Sequence, residues 1–106
     1  MPNGHDRDWV RFCMAVRGFR ARHGSWPTRM RLDPGYVDEF RNFLLAPEDF
    51  ERLQAKIVLI PEPDAMFVAE DDSGRSYDYA TERHHWEQDD IDPQVWLGIR
   101  ARPENW

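Results

Sequence analysis

A cluster of side chains that can ligate metals lies in the last quarter of the chain. Its nine residues read His84, His85, Trp86, Glu87, Gln88, Asp89, Asp90, Ile91 and Asp92. Imidazoles and carboxylates bind zinc or calcium when their spacing directs several of them to one point. Adjacent histidines in an extended chain point to opposite sides, and the acidic run lacks the alternation and the glycine of a calcium loop. We therefore predict a solvated acidic loop, with no structural metal and no cofactor.

Carboxylates also gather at Glu70, Asp71, Asp72 and Asp78, where a general acid–base pair is conceivable because neighbouring carboxylates shift each other's pKa. Turns nevertheless favour aspartate for backbone reasons alone. The sequence has no glycine-rich phosphate loop, and its one cysteine, Cys13, lies on an apolar helical stripe, where an inert, buried thiol is expected. We predict no catalytic residues and a protein that is not an enzyme.

Five tryptophans in 106 residues are more than a core of this size readily hides. We predict that Trp9 and Trp26 are core residues. Trp86, Trp96 and Trp106 lie in the acidic C-terminal third, and exposed aromatic side chains on a polar background are typical anchors of protein interfaces. These three are therefore the predicted protein-interaction residues. The alternative for them is packing against the sheet, where they would seal its edge.

Charge is distributed unevenly along the chain. Residues 1–31 carry seven arginines and two aspartates, a balance of +5, whereas residues 32–106 carry seven basic and 18 acidic side chains, a balance of −11. A basic end can face nucleic acid, with an aromatic side chain such as Trp26 stacking on bases. The arginines that would make this contact are Arg17, Arg20, Arg29 and Arg31. The alternative is that the two regions neutralise each other across the fold.

Length and composition limit the class of protein. The 106 residues suit one domain with a single hydrophobic core, and one cysteine excludes an intrachain disulfide. The longest apolar run, residues 57–60, is far shorter than the roughly 20 residues of a membrane span. Since no signal-like apolar run follows Met1, we expect a cytoplasmic protein. Thirteen of the 14 basic residues are arginine, which indicates a genome whose codon usage favours arginine over lysine. We therefore expect a bacterial-type protein.

Three helices are predicted from apolar spacing and end signals. Helix 1 runs from Asp8 to His23 and stops at Gly24. Helix 2 runs from about Pro34 to Leu45 after an Asp33 N-cap, and helix 3 begins at Pro47. The residues predicted to fill the core are Trp9, Phe12, Val16, Phe19, Leu32, Val37, Phe40, Leu44, Phe50, Leu53, Phe67 and Tyr77.

Alternating segments predict the strands. Residues 28–32 form a short strand, and residues 66–70 and 75–79 flank Asp71-Asp72-Ser73-Gly74, a composition typical of a β-hairpin. Residues 56–60 fit either the end of helix 3 or a strand. Residues 80–94 have no clear period and predict a surface loop with room for a helical turn. Residues 95–99 fit either an edge strand or a short helix.

The predicted fold is an α+β domain spanning residues 1–106, with three helices packed on a small antiparallel sheet and a C-terminal β-hairpin. This element order resembles that of winged helix-turn-helix domains, in which helix 3 enters the major groove and the hairpin loop is the wing. Both elements are acidic here and would be repelled by phosphate. We predict a small soluble accessory or regulatory protein that acts through protein contacts, as a monomer or weak homodimer without membrane contact. A winged-helix-like nucleic-acid-binding module is the alternative.

Overall fold

The computed structural model describes residues 4–82 and 93–99, and the side chains of residues 7–81 and 93–99. The described helices are α1 (Gly4–His23), α2 (Pro34–Glu39), α3 (Pro47–Lys56), α4 (Tyr79–Glu82) and α5 (Pro93–Leu97), and a π-helical turn (Phe40–Leu44) continues α2. The strands are β1 (Arg29–Leu32), β2 (Val58–Pro61), β3 (Val68–Glu70) and β4 (Ser76–Asp78).

The four strands form one sheet in the order β2-β1-β3-β4. Strand β2 pairs parallel with β1, whereas β3 pairs antiparallel with both β1 and β4. The prediction of an antiparallel sheet under three helices is therefore wrong: the sheet is mixed, and five α-helices are described. The physical reason is that residues 58–61 are a strand. The helical connection from β1 carries the chain back to the end where β1 began, so β2 runs in the same direction.

Side-chain alternation divides the sheet into a core face and an outer face. In β1, Met30 and Leu32 are fully buried, whereas Arg29 and Arg31 keep about a third of their side-chain surface exposed. The register places Met30 beside Ala69 and Ala69 beside Tyr77, so all three lie on the core face. Helices α1, α2 and α3 contact the strands. The buried residues of α1 and α3 share one core with that face, and Tyr36 and Val37 of α2 are partly buried against it.

Aromatic rings form the centre of the core. Phe40 packs edge-on against Trp9 at 5.4 Å and Phe12 at 5.5 Å between ring centroids, and Phe67 lies 6.3 Å from Phe40. Ten of the twelve predicted core residues are buried, while Val37 and Leu44 are partly buried. Trp26, predicted to be core, is only half-buried. The buried residues that the sequence prediction missed include Met30, Ile57, Ala69, Leu97 and Ile99.

The π-helical turn changes the face that helix 2 presents. The Leu45 amide donates to the Phe40 carbonyl at 2.9 Å, a five-residue step. This wider step rotates the side chains that follow, so Phe40 stays fully buried while Phe43, 72% exposed, points outward. An uninterrupted α-helix to Leu45, as predicted, would have put Phe43 on the apolar stripe.

Candidate interaction surface

Two tryptophans that are 70 residues apart in sequence stack face to face at the protein surface. The rings of Trp26 and Trp96 are 4.3 Å apart between centroids and 5° from parallel. The Arg20 guanidinium lies 4.6 Å from the Trp26 centroid, and the Lys56 ammonium lies 5.2 Å from the Trp96 centroid. We call these four side chains the tryptophan clasp. The clasp joins four segments of the chain: α1 through Arg20, the loop before β1 through Trp26, α3 through Lys56 and α5 through Trp96.

Local sequence explains how each tryptophan reaches this position. Gly24 ends α1 in the left-handed conformation (φ +79°), and its amide donates to the Arg20 carbonyl. The chain then turns back beside the last turns of the helix, which puts Trp26 next to Arg20. At the other end, Pro93 starts α5 and Gly98 (φ +75°) stops it, so Trp96 is held on one short helical turn.

Helix α5 is fixed to the rest of the fold by polar and apolar contacts. The indole Nε1 of Trp9 donates to Gln94 Oε1 at 2.9 Å. Leu97 and Ile99 are buried in the common core, and Lys56 Nζ donates to the Trp96 carbonyl. The position of this segment is therefore set by residues from both α1 and α3.

An exposed apolar side chain lies beside the clasp. Val95, next to Trp96 on α5, is 76% exposed. On β2, Val58 is 59% exposed. Scattered apolar side chains are normal on protein surfaces, but Val95 differs from Val58 in two ways: it neighbours a stacked aromatic pair, and it follows the acidic run of residues 87–92 in sequence. A fixed backbone lowers the entropy cost of forming an interface there.

The three predicted interaction residues have different outcomes. Trp96 is described and is half-buried, with one ring face against Trp26. The ring face that stacks on Trp26 is therefore covered within the fold, and the role of Trp96 in a protein contact stays a prediction. Trp86 and Trp106 lie outside the described residues, as does the predicted metal-ligand cluster of residues 84–92. Among the described residues, no group of three or more histidine, cysteine or acidic side chains can hold a metal ion.

The four predicted nucleic-acid residues do not form one basic surface. Arg29 and Arg31 lie on the outer face of the sheet and share Glu70, with Nε–Oε1 at 3.2 Å and Nη2–Oε2 at 2.8 Å. Arg29 also pairs with Asp72, and Arg31 with Glu62. Carboxylates thus neutralise both guanidiniums. On α1, Arg20 covers Trp26, and Arg17 precedes it by one turn.

The carboxylates near the turn between β3 and β4 have structural partners. Asp71 is 6% exposed, and its Oδ1 accepts from the Ser73 amide and hydroxyl and from the Arg75 amide. Its Oδ2 pairs with the Arg75 guanidinium at 2.7 Å. Burial raises the pKa of Asp71, but the hydrogen bonds from Ser73 and Arg75 outweigh this and lower it to about 2. This carboxylate shapes the turn and is unsuited to proton transfer near neutral pH.

A shallow acidic groove lies at the other end of the sheet, with a volume of about 400 Å³ and lined by Asp33, Tyr36, Glu39, Asp64 and Met66 among others. Asp33 accepts from the Gly35 amide at 2.8 Å and from the Asp64 amide at 2.9 Å. These two bonds hold the pKa of Asp33 below its usual value. Burial, followed by the Asp8 carboxylate, raises the pKa of Tyr36. The Asp33 carboxylate therefore caps the N-terminus of α2 and links it to the loop that contains Asp64.

Sequence reasoning missed Lys56, Gln94 and Val95 as parts of the surface. Lys56 carried one available signal, since it is the single lysine of the chain. Gln94 and Val95 carried none, because their roles depend on where α5 docks. Cys13 is buried, as predicted.

No family model, curated protein or solved structure matches this chain. Within residues 4–82 and 93–99, no helix has the length and apolar character required to cross a bilayer.

Proposed function

We propose that the protein acts through protein–protein contacts, as a small accessory or regulatory protein whose contact surface is centred on α5. The observation that supports this most is Val95, 76% exposed on a short helix that the tryptophan clasp holds in a fixed position. An apolar side chain on a rigid platform can enter a partner pocket with little loss of conformational entropy.

The partner's chemistry follows from charge. The run of residues 87–92 contains four carboxylates and ends directly before Pro93, the first residue of α5. Carboxylates at the rim of an apolar contact accelerate association with a basic surface and disfavour polyanions. We therefore expect a protein partner with basic side chains around an apolar pocket, and binding that weakens as salt rises.

Nucleic-acid binding by a winged-helix-like module has weaker support. Helix α3 would enter the major groove, yet Glu48 and Asp49 occupy its first turn and Arg52 pairs with Asp49 at 2.8 Å. Phosphate contacts dominate DNA affinity, so these carboxylates oppose docking. The faces of Trp26 that a base would need already contact Arg20 and Trp96.

The test is a comparison of two matched surface variants. Val95→Arg places a charge at the proposed contact, and Val58→Arg makes the same change on β2. Both positions are exposed, so both variants should fold, which circular dichroism checks. Each tagged protein is purified from its native cells at low and high salt, and retained proteins are quantified by mass spectrometry. We expect one protein to be retained by wild type and Val58→Arg at low salt and lost at least tenfold with Val95→Arg.

Two results would contradict the proposal. In the first, Val95→Arg retains the same proteins as wild type. In the second, nuclease treatment releases the retained material and an Arg17→Glu, Arg20→Glu variant no longer binds it. The second result would establish the nucleic-acid alternative. Trp96→Ala is a poorer first variant because loss of the stack also changes how α5 is held.

A further inference from the structure

Lys56 makes two contacts that both end on Trp96. Its ammonium group donates a hydrogen bond to the Trp96 carbonyl and lies 5.2 Å from the centroid of the Trp96 ring. A backbone carbonyl and an aromatic face both carry negative electrostatic potential, so both contacts depend on the positive charge of Lys56. The residue itself is exposed at the last turn of α3, and its charge carries no burial cost large enough to cancel them.

The Trp96 carbonyl lies at the C-terminal end of α5, where helix carbonyls lack intrahelical partners. Two other amides close the same end: those of Gly98 and Ile99 donate to the Gln94 carbonyl at 2.9 and 3.1 Å. A cation beside this end also complements the partial negative charge of the exposed carbonyls. Lys56 therefore caps α5 from a different helix.

We infer that Lys56 is a charge-dependent latch for residues 93–99: its ammonium helps to hold Trp96 in the tryptophan clasp, and neutralising that charge makes the segment open more often while the sheet stays folded. If α5 is the contact surface proposed above, the latch also sets whether Val95 is presented to a partner. The conformational part of the inference does not depend on that function, because it concerns the free protein.

Hydrogen exchange of the free protein, followed by NMR, tests the latch. The probes are the Gly98 and Ile99 amides and the Trp9 indole N–H, which donates to Gln94. Lys56→Gln removes the charge at similar length, Lys56→Arg retains it, and Arg41→Gln removes a surface charge from an unrelated pair with Asp38. We expect Lys56→Gln to accelerate exchange at the three probes by about three- to tenfold, the size of one exposed cation–π contact or one ordinary hydrogen bond.

The control variants distinguish local release of α5 from a general loss of stability. Lys56→Arg and Arg41→Gln should exchange as wild type does at the three probes, and amides of β1 and β3 should keep their wild-type rates in all variants. The inference is overturned if Lys56→Gln leaves the probes unchanged or if Lys56→Arg accelerates them equally. Equal acceleration of the strand amides would also overturn it, because the opening would then be global. A failure of the Val95→Arg experiment leaves these rates unaffected, so the two proposals fail separately.

Discussion

The ring of Tyr77 lies directly against Gly18 of helix α1. A Cβ atom at position 18 would stand 2.3 Å from Cζ of Tyr77 and 2.4 Å from Cε1, far inside any van der Waals contact. Tyr77 is fully buried at the central position of β4. Because Gly18 has no side chain, the edge strand β4 can pack closely against α1. This close contact explains why a glycine occurs inside a 20-residue helix.

Gly18→Ala should destabilise the protein by about 1–2 kcal/mol, because an overpacking cost of about 2–3 kcal/mol is offset only in part by a gain of about 1 kcal/mol in helix propensity. Urea unfolding of Gly18→Ala, Tyr77→Ala and the double variant measures the coupling. In the Tyr77→Ala background the alanine at position 18 should be neutral or stabilising. Destabilisation of equal size in both backgrounds would mean that the ring contact is not the cause.

Phe40→Ala should cost about 3–5 kcal/mol, because it removes a fully buried ring from the aromatic centre of the core. Phe43→Ala is the matched control on the same π-helical turn, and its 72% exposure predicts a loss below about 1 kcal/mol. Thermal or urea unfolding measures both. Similar losses of stability for the two variants would mean that Phe40 does not face the core while Phe43 faces solvent.

Asp71 should make stability depend on acid pH. Its pKa is lowered from 3.8 to about 2 in the folded chain, so its contribution is complete above 3.8 and is lost as pH falls through about 2. Asp71→Asn should therefore flatten the fall in unfolding free energy across that interval. Ser73→Ala removes one of the hydrogen bonds that lower this pKa and should shift the acid loss to higher pH. Urea midpoints collected through the interval test both, and a wild-type slope in Asp71→Asn would refute the assignment.

Residues 84–92 are expected to bind neither zinc nor calcium, since their spacing does not direct several ligands to one point. Isothermal calorimetry of the wild-type chain with each ion should show no stoichiometric binding. A His84→Ala, His85→Ala double variant is the control. Tight binding in wild type that disappears in this variant would show a metal site that sequence spacing does not indicate.

The sequence by itself determined the local features of this protein. The stripe from Trp9 to Phe19, the Gly24 stop and the Asp33 cap each depend on residues within a few positions of one another, and each lies where the pattern predicts. Helical period and capping chemistry are short-range properties, so these features can be predicted from the sequence alone.

Only the tertiary structure decided how distant segments meet. The parallel partner of Arg29 in β1 is 29 residues further along, at Val58, and local alternation cannot specify a partner strand or its direction. The same holds for the clasp: Trp26, Trp96 and Lys56 share no local motif, and their contact arises because α5 docks between α1 and α3. Packing between segments that are distant in sequence, rather than any residue's own propensity, placed the Trp96 ring against Trp26 and Lys56.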